Sequence, residues 1–219
     1  VDKNLDKFKF EFEKSLKRLQ VENIYGLLFH RDLDIQKPNH EKFFYYLDTL
    51  KKQKIVNRVG FSTYSTKNII EHLNYFNFQI IQLPINIFNL NKNNLNFLKN
   101  LKKNNNIEIH ARSIFLQGLG FLNKIENYKF FKLNKKLELL TKLSKMKKIS
   151  KFQIMLLGIY NPNIINSYII GTNSLEEIKE LYKIKKKKIF NSKISSKNFI
   201  INDNIILDPR KWPKNIRKF

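Results

Sequence analysis

The sequence predicts an α/β fold built on a parallel sheet, because two hydrophobic periods alternate along the chain. Stretches with apolar residues at three- and four-residue steps, typical of helices, are separated by short continuous apolar runs, typical of strands buried on both faces. About five strand–helix units follow one another in a single line. This alternation favours parallel strands connected by helices.

The first helix and the first strand show both periods clearly. Between residues 3 and 19 the apolar side chains form one helical stripe, at Leu5, Phe8, Phe12, Leu16 and Leu19. The run from Ile24 to His30 is short and continuous, as in a buried strand. A parallel barrel begins with a strand whereas this chain opens on a helix, so we expect at least one further unit upstream of Val1.

The later units repeat the pattern. Further strands are expected at Arg58–Phe61, Gln79–Leu83, Ile107–His110 and Tyr168–Ile170. Helices are expected around 43–50, 65–75, 94–103 and 174–187, with two more between 133 and 160. Ser65, Ser150 and Ser174 are suitable N-caps, and Ser174 forms a capping box with Glu177. The pattern ends after Lys188, so residues 1–187 are expected to form one domain and residues 188–219 a basic tail.

The composition excludes several classes of protein. Hydrophobic residues make up 42% of the 219 residues, enough for a packed core. No secretory signal and no apolar run of about 18 residues is present, so a cytoplasmic protein without a membrane anchor is expected. Cysteine is absent, which excludes disulfides, thiolate nucleophiles and cysteine-based zinc sites, and no metal site is expected.

The formal net charge of +24 has two interpretations. It fits a polyanionic partner, because dense Lys and Arg release counterions from nucleic acid. It also fits a compositional drift toward Lys, Asn and Ile, and the equally frequent Asn, which carries no charge, favours the drift. The Lys185–Lys188 run is interpreted as a solvated helix end, where positive charge suits the dipole.

Five sequence segments, in order and in register, resemble the aldo-keto reductase family. They are SLKRL at Ser15–Leu19 leading into Ile24–His30, GFSTYS at Gly60–Ser65, QIIQLPIN at Gln79–Asn86, ARSIFLQG at Ala111–Gly118, and Tyr168–Leu181. A doubly wound dinucleotide fold would need an early Gly-rich phosphate turn, which the sequence lacks. The resemblance implies a partial TIM-type (β/α)₈ barrel, strands 4 to 8 with their helices over residues 1–187, followed by the C-terminal tail.

The resemblance also implies a reaction, the NAD(P)H-dependent reduction of an aldehyde, ketone or sugar-derived carbonyl to an alcohol. In this family a Tyr donates the proton, a Lys and an Asp tune that Tyr, and a His orients the carbonyl. His30 matches the His. The other three residues belong to strands one to three, before Val1, so the barrel half that carries them is expected upstream and this chain alone is expected to be inactive.

The cofactor-binding positions of the family fall at strand ends. Ser62 and Gln82 match residues that bond the nicotinamide carboxamide; Thr63 stands where Asn is usual, and Arg112 where an aromatic ring stacks on the nicotinamide. Ser113, Leu116, Gly118, Gly171, Thr172 and Ser174 match the phosphate site, where helix N-terminal N–H groups meet the pyrophosphate. Asn86 either lines the substrate pocket or caps its own loop.

Glu177 and Leu181 depart from the family pattern. Many NADPH-using members have a basic residue at the position of Glu177, so a carboxylate predicts a preference for NADH or no preference between the two cofactors. Glu177 also has a purely structural interpretation, as the second half of the capping box. Leu181 replaces an Asn that contacts adenine.

Two other functions stay open at the level of sequence. One is a non-catalytic remnant, which the residues at 63, 112 and 181 favour; the other is a basic polyanion-binding protein on a degenerate barrel. Under the reductase interpretation the partner is a small carbonyl substrate, and neither a specific nucleic acid nor a membrane is expected.

Overall fold

The computed structural model describes residues 2–37, 40–161, 163–172, 174–186 and 194–216. The helices are α1 (Asp2–Leu19), α2 (His40–Lys52), α3 (Ile69–Leu73), α4 (Lys92–Asn105), α5 (Phe131–Lys147), α6 (Lys151–Ile159), α7 (Leu175–Lys186) and α8 (Asn204–Leu207). The strands are β1 (Ile24–Phe29), β2 (Val56–Ser62), β3 (Ile80–Pro84), β4 (Glu108–Arg112) and β5 (Ser167–Tyr168). Pro38 and Asn39, and the expected domain boundary between 187 and 188, lie outside the described residues.

The strands form one five-stranded sheet in the order β1-β2-β3-β4-β5. β1 pairs with β2, β2 with β3, and β4 with β5, each in parallel. Each chain segment between consecutive strands contains at least one helix, as parallel neighbours require. The predicted α/β fold with a parallel sheet is therefore confirmed, and it is consistent with part of a TIM-type barrel.

The chain divides into two compact units. The N-terminal unit comprises residues 1–82 and 103–108, and the C-terminal unit comprises residues 83–102 and 109–219. The core of the N-terminal unit is rich in Phe rings that meet at centroid distances of 4.9–6.3 Å, namely Phe29, Phe44, Phe61, Phe76 and Phe78. Such aromatic pairs add to the free energy gained by burial of apolar area.

A polar contact shows how the sheet curves within the N-terminal unit. The Tyr25 hydroxyl of β1 donates to Glu108 Oε1 of β4 at 2.5 Å, and Arg58 Nε of β2 lies 3.2 Å from the same oxygen. In a flat sheet β1 and β4 would lie about 14 Å apart, at roughly 4.8 Å per strand. Two long side chains bridge most of this separation, and the contact is consistent with a sheet that curls as the wall of a barrel does.

The C-terminal unit buries more of the chain end than the sequence pattern predicts. Within residues 194–216, five apolar side chains are buried: Phe199, Ile201, Ile206, Trp212 and Ile216. Ile201 N–H donates to the Phe88 carbonyl at 2.8 Å, and the Trp212 ring lies edge-on to Phe130. This segment is thus part of the core of the unit, although its sequence shows neither a helical nor a strand period.

Most predicted elements are present with ends shifted by one to three residues, but the helix expected at 65–75 is much shorter. α3 begins at Ile69 with Asn68 at its N-cap position, and Ser65, whose Oγ accepts from Lys67 N–H at 3.1 Å, lies in the segment before it. Ser150 caps α6 as expected, with a complete capping box to Gln153. In the part of the chain that the structure describes, no helix is long and apolar enough to span a membrane.

Candidate functional site

His30 lies directly after β1, with its side chain exposed. It lines a cavity of about 250 Å³ within the N-terminal unit, whose other walls are apolar side chains of α1, β1, α2 and β2. Active sites of parallel barrels are built at the carboxyl ends of the strands, and His30 occupies such an end. An exposed imidazole next to an apolar cavity can donate to or accept from a polar group of a small molecule held there.

Ser62, the last residue of β2, and Gln82, in the middle of β3, lie side by side, since their Cα atoms are register partners. Thr63 N–H donates to the Gln82 carbonyl at 3.0 Å and extends this pairing by one residue. The Gln82 side chain is half-buried between the buried Ile81 and Leu83, and its amide makes no hydrogen bond to any described residue. A half-buried amide without a protein partner fits an external polar ligand such as a carboxamide.

Thr63 is buried and its hydroxyl contacts Asp32 Oδ2 at 2.7 Å. Asp32 begins the 3₁₀ turn Asp32–Gln36, two residues after His30, and its Oδ2 lies 3.7 Å from Nε2 of the fully buried His72 on α3. Sequence reasoning named neither Asp32 nor His72. Two features of the sequence could have identified them. Asp32 lies just past a strand end, and His72 lies three residues after the buried Ile69, on the same face of the helix.

Asn86 is fully buried in the loop after β3, and both ends of its side-chain amide are used there. Its Oδ1 accepts from Phe88 N–H at 3.1 Å, and its Nδ2 donates to the Ser113 carbonyl at 3.4 Å. The structure therefore gives Asn86 a role in fixing two loops of the C-terminal unit. Direct contact with a substrate stays a prediction, because it would require the amide to leave these partners.

The loop after β4 has an unusual backbone. Ser113, Leu116, Gln117 and Gly118 all have positive φ angles, between 50° and 86°. Such conformations are uncommon for residues other than Gly and cluster at ligand sites. The N–H groups of Ile114, Phe115 and Gln117 have no acceptor among the described residues, and unpaired N–H groups of this kind can form an anion-binding concavity.

The side chains of this loop differ in what they can contribute. Arg112 Nη1 lies 3.3 Å from Ser113 Oγ, so the guanidinium and the hydroxyl are adjacent. Leu116 is buried, so any cofactor contact it makes is limited to its backbone. A Cβ added at Gly118 would meet no atom within 4 Å, which leaves open space next to the loop.

The segment before α7 carries the other expected phosphate contacts. Gly171 is exposed, Thr172 is half-buried, and Ser174 Oγ accepts from Glu177 N–H at 3.3 Å as an N-cap does. Glu176 and Glu177 both lie in the first turn of α7. The helix dipole stabilises two carboxylates at this end of α7, but the same carboxylates would repel a phosphate or another anion placed beside them.

Ser62, Thr63 and Gln82 are thus neighbours in the N-terminal unit, and Asn86, Arg112 and Ser113 are neighbours in the C-terminal unit. The loop after β4 and the start of α7 also belong to the C-terminal unit.

Solved structures of aldo-keto reductases match the fold of this chain. A thermostable aldo-keto reductase, Tm1743, solved with the inhibitor epalrestat, matches with a TM-score of 0.64 at 19% identity, over 89% of this chain and 64% of its own. The aldo-keto reductase AKR11C1 from Bacillus halodurans matches in its apo form with a TM-score of 0.64 at 17% identity, over 87% of this chain and 65% of its own. Its holo form matches with a TM-score of 0.65 at 16% identity, over 88% and 62%.

At these identities the solved structures show the fold alone, and the chain spans less than two thirds of each. No curated protein matches the chain. The sequence profile described as "Aldo/keto reductase family" matches residues 6–196, which is most of the chain. The chain therefore belongs to the aldo/keto reductase family.

Proposed function

We propose that this chain is part of an NAD(P)H-dependent reductase that converts a small carbonyl compound to an alcohol. In this proposal β1–β5 correspond to strands four to eight of the barrel, residues 1–187 form its C-terminal part, and residues 188–219 form the tail. The half-buried Gln82 amide beside Ser62 carries the proposal, because a carboxamide would satisfy it. The catalytic Tyr, Lys and Asp would come from sequence upstream of Val1, and the enzyme would act in the cytoplasm.

The chain's own residues would bind and orient the reactants. Ser62 and Gln82 would bond the carboxamide and so select the ring face that is offered, and Arg112 would contact the ring. The backbone of the loop after β4 and the segment Gly171–Ser174 would bind the pyrophosphate. His30 would donate to or accept from the carbonyl oxygen of the substrate. The bound nicotinamide would supply the hydride.

Cofactor binding by this chain can be measured directly by titrating it with NADH and following cofactor fluorescence. Gln82→Met keeps the length of the side chain but removes the amide, and we expect it to weaken binding about tenfold, as loss of roughly 1.4 kcal/mol does. Gln53→Met is the matched control, since Gln53 is exposed at the end of α2. A folded wild-type chain that shows no fluorescence change at millimolar NADH would contradict cofactor binding.

Glu177 predicts a choice between the two cofactors. Its carboxylate would repel the 2′-phosphate of NADPH, so we expect NADH to bind at least as tightly. Glu177→Lys should then improve NADPH binding by about three- to tenfold, equivalent to roughly 0.7–1.4 kcal/mol, and leave NADH binding nearly unchanged. Glu176→Lys, one residue away in the same helical turn, controls for net charge. A clear NADPH preference of the wild-type chain would rule out this assignment.

The distribution of charge favours a second candidate function, the binding of a polyanion. The N-terminal unit contains 15 Lys and Arg against 11 Asp and Glu, a net +4, whereas the C-terminal unit contains 27 against 7, a net +20. The two units are similarly rich in basic residues, so a drift toward Lys does not account for the shortage of acids in the second. On α5, Lys132, Lys135, Lys142 and Lys145 are exposed at steps of three, seven and three residues.

Heparin chromatography separates a binding face from diffuse charge. Changing Lys135, Lys142 and Lys145 on α5 to Gln should lower the salt concentration needed for elution more than changing the exposed Lys7, Lys14 and Lys17 on α1 does. If the two triple variants lower the elution salt concentration equally, the retention on heparin depends on the global charge alone, and polyanion binding by the α5 face is ruled out.

A further inference from the structure

Asp32, Thr63 and His72 form a polar cluster where β1 and β2 end, inside the N-terminal unit. Thr63 Oγ1 lies 2.7 Å from Asp32 Oδ2, and the same oxygen lies 3.7 Å from His72 Nε2. Thr63 and His72 are almost completely buried, and 21% of the Asp32 side chain is exposed. Three polar side chains from three different elements thus meet in a mostly dry environment, where unmet hydrogen bonds are costly.

His72 is the anomalous member of this cluster. Neither of its ring nitrogens has a hydrogen-bond partner among the described residues, and its ring packs edge-on against Phe61 at 5.4 Å. A buried polar group left unpaired costs about 1–3 kcal/mol. A shift of roughly 0.5 Å by Asp32 would bring its carboxylate within the 2.7–3.2 Å range of an N–H···O bond. The Asp32 carboxylate, which already accepts from Thr63, is therefore the nearest group that could accept a hydrogen bond from the His72 ring.

Thr63 can release Asp32 without losing its own hydrogen bond. Its hydroxyl lies 3.0 Å from the Ser65 carbonyl as well as 2.7 Å from Asp32, and it accepts from Ser65 N–H at 3.1 Å. A hydroxyl has one proton and donates to one acceptor at a time. The Thr63 hydroxyl consequently has an acceptor in two arrangements, Asp32 in one and Ser65 in the other, and the second leaves Asp32 available to His72.

We infer that Asp32 is a positioning residue shared between Thr63 and His72, and that the charge of His72 selects its partner. With His72 neutral, Asp32 binds Thr63 and ties the segment that follows His30 to the end of β2. With His72 protonated, Asp32 moves to the imidazolium and Thr63 turns to Ser65. The consequence for His30 and for cofactor binding rests on the proposed function, whereas the exchange of partners does not.

Few other charges face His72. Those on the elements packed around it are Asp34, paired with Arg31 and Lys37, and Glu71, which accepts from Gln36. From β2, the Phe61 ring packs against His72. Asp32 is therefore the acid that a protonated His72 would meet first.

The exchange makes two predictions of opposite sign. In an NMR titration of the four histidine rings, the His72 signals are assigned by their loss in His72→Gln. Asp32→Asn removes the carboxylate that would pair with the imidazolium and should lower the midpoint of the His72 titration. Thr63→Val removes the competing donor and should raise it, and Thr63→Ser, which keeps the hydroxyl, should leave it in place.

The outcomes separate the cluster from the proposed function. Shifts of opposite sign in Asp32→Asn and Thr63→Val support the exchange, even in a chain that binds no NADH. If Asp32→Asn does not fold, the Thr63→Val and Thr63→Ser pair still decides, because a midpoint that is the same in both overturns the exchange. Where NADH binds, its affinity at pH 6 relative to pH 8 should change in the wild type and lose that dependence in His72→Gln.

Discussion

At the scale of single residues, Gly60 occupies the closest approach between β2 and β3. A Cβ built at Gly60 would overlap the Ile80 carbonyl oxygen and would lie 2.7 Å from Ile80 Cβ. At Gly171, in contrast, an added Cβ would meet no atom within 4 Å. Gly60 lies inside a strand-like run and Gly171 follows one, but only the packing of β3 shows that Gly60 has no room for a Cβ.

Gly60→Ala should destabilise the N-terminal unit by about 1–3 kcal/mol, the usual range for an overpacked core, because backbone and not a flexible side chain must move. The measurement is urea denaturation followed by far-ultraviolet circular dichroism. Gly171→Ala is the control and should leave the midpoint unchanged. Equal midpoints for the two variants would contradict the close packing of β2 on β3.

Single site residues also show where sequence reasoning ends. His30, Ser62 and Gln82 could be named because strand ends and a family pattern identify them; the structure places His30 and Ser62 at strand ends and Gln82 within β3, beside Ser62. The cofactor and catalytic roles of these three residues stay predictions. Asp32 and His72 could not be named, because their importance depends on burial and on contacts between residues that lie 31 or more positions apart.

At the scale of elements, the strands were predictable and the helix after β2 was not. A short continuous apolar run has few alternatives to a buried strand, so β1–β4 lie within two residues of the predicted starts. Ser65 has the chemistry of an N-cap, but α3 begins only at Ile69. The Thr63 hydroxyl accepts from Ser65 N–H and also contacts Asp32, 31 residues earlier, a contact that no local pattern encodes.

The Ser150 capping box allows a test at the level of one element. Ser150 Oγ accepts from Gln153 N–H at 3.1 Å, the Gln153 side chain accepts from Ser150 N–H, and Ser150 also contacts Glu180 of α7. Ser150→Ala should lower the free energy of unfolding of the C-terminal unit by about 1 kcal/mol. The single Trp, Trp212, lies in this unit and provides the fluorescence signal.

Ser195→Ala is the matched control for that variant. Ser195 caps only one 3₁₀ turn, Ser196–Phe199, through a longer bond to Lys197 N–H at 3.3 Å. Its replacement should cost clearly less than that of Ser150. If Ser195→Ala lowers the free energy of unfolding as much as Ser150→Ala does, the capping box of α6 contributes no more stability than a single cap on a 3₁₀ turn.

At the scale of the whole molecule, β1 is the edge of the sheet. Among the described residues it pairs on one side only, with β2, and its residues Leu27–Phe29 are half-buried and line the apolar cavity next to His30. An edge with unpaired N–H and carbonyl groups beside apolar surface invites pairing with another chain.

The 219-residue chain expressed alone should therefore self-associate or require a partner to stay in solution. Sedimentation velocity at several protein concentrations measures this directly. Leu27→Lys, which puts a charge on the exposed edge, should reduce the association. A monodisperse wild-type monomer that melts cooperatively would refute the prediction.

The buried segment 194–216 of the C-terminal unit also bears on how the protein is made. Trp212 donates from Nε1 to the Ile206 carbonyl and packs on Phe130, and Ile216 is buried as well. The ribosome synthesises Phe130 long before Trp212. The Phe130 ring therefore lacks its contact with Trp212 until the later segment has left the exit tunnel. Chaperones that bind nascent apolar surface would find it uncovered during that interval, and a stop codon placed before Trp212 would release a chain that can never complete this core.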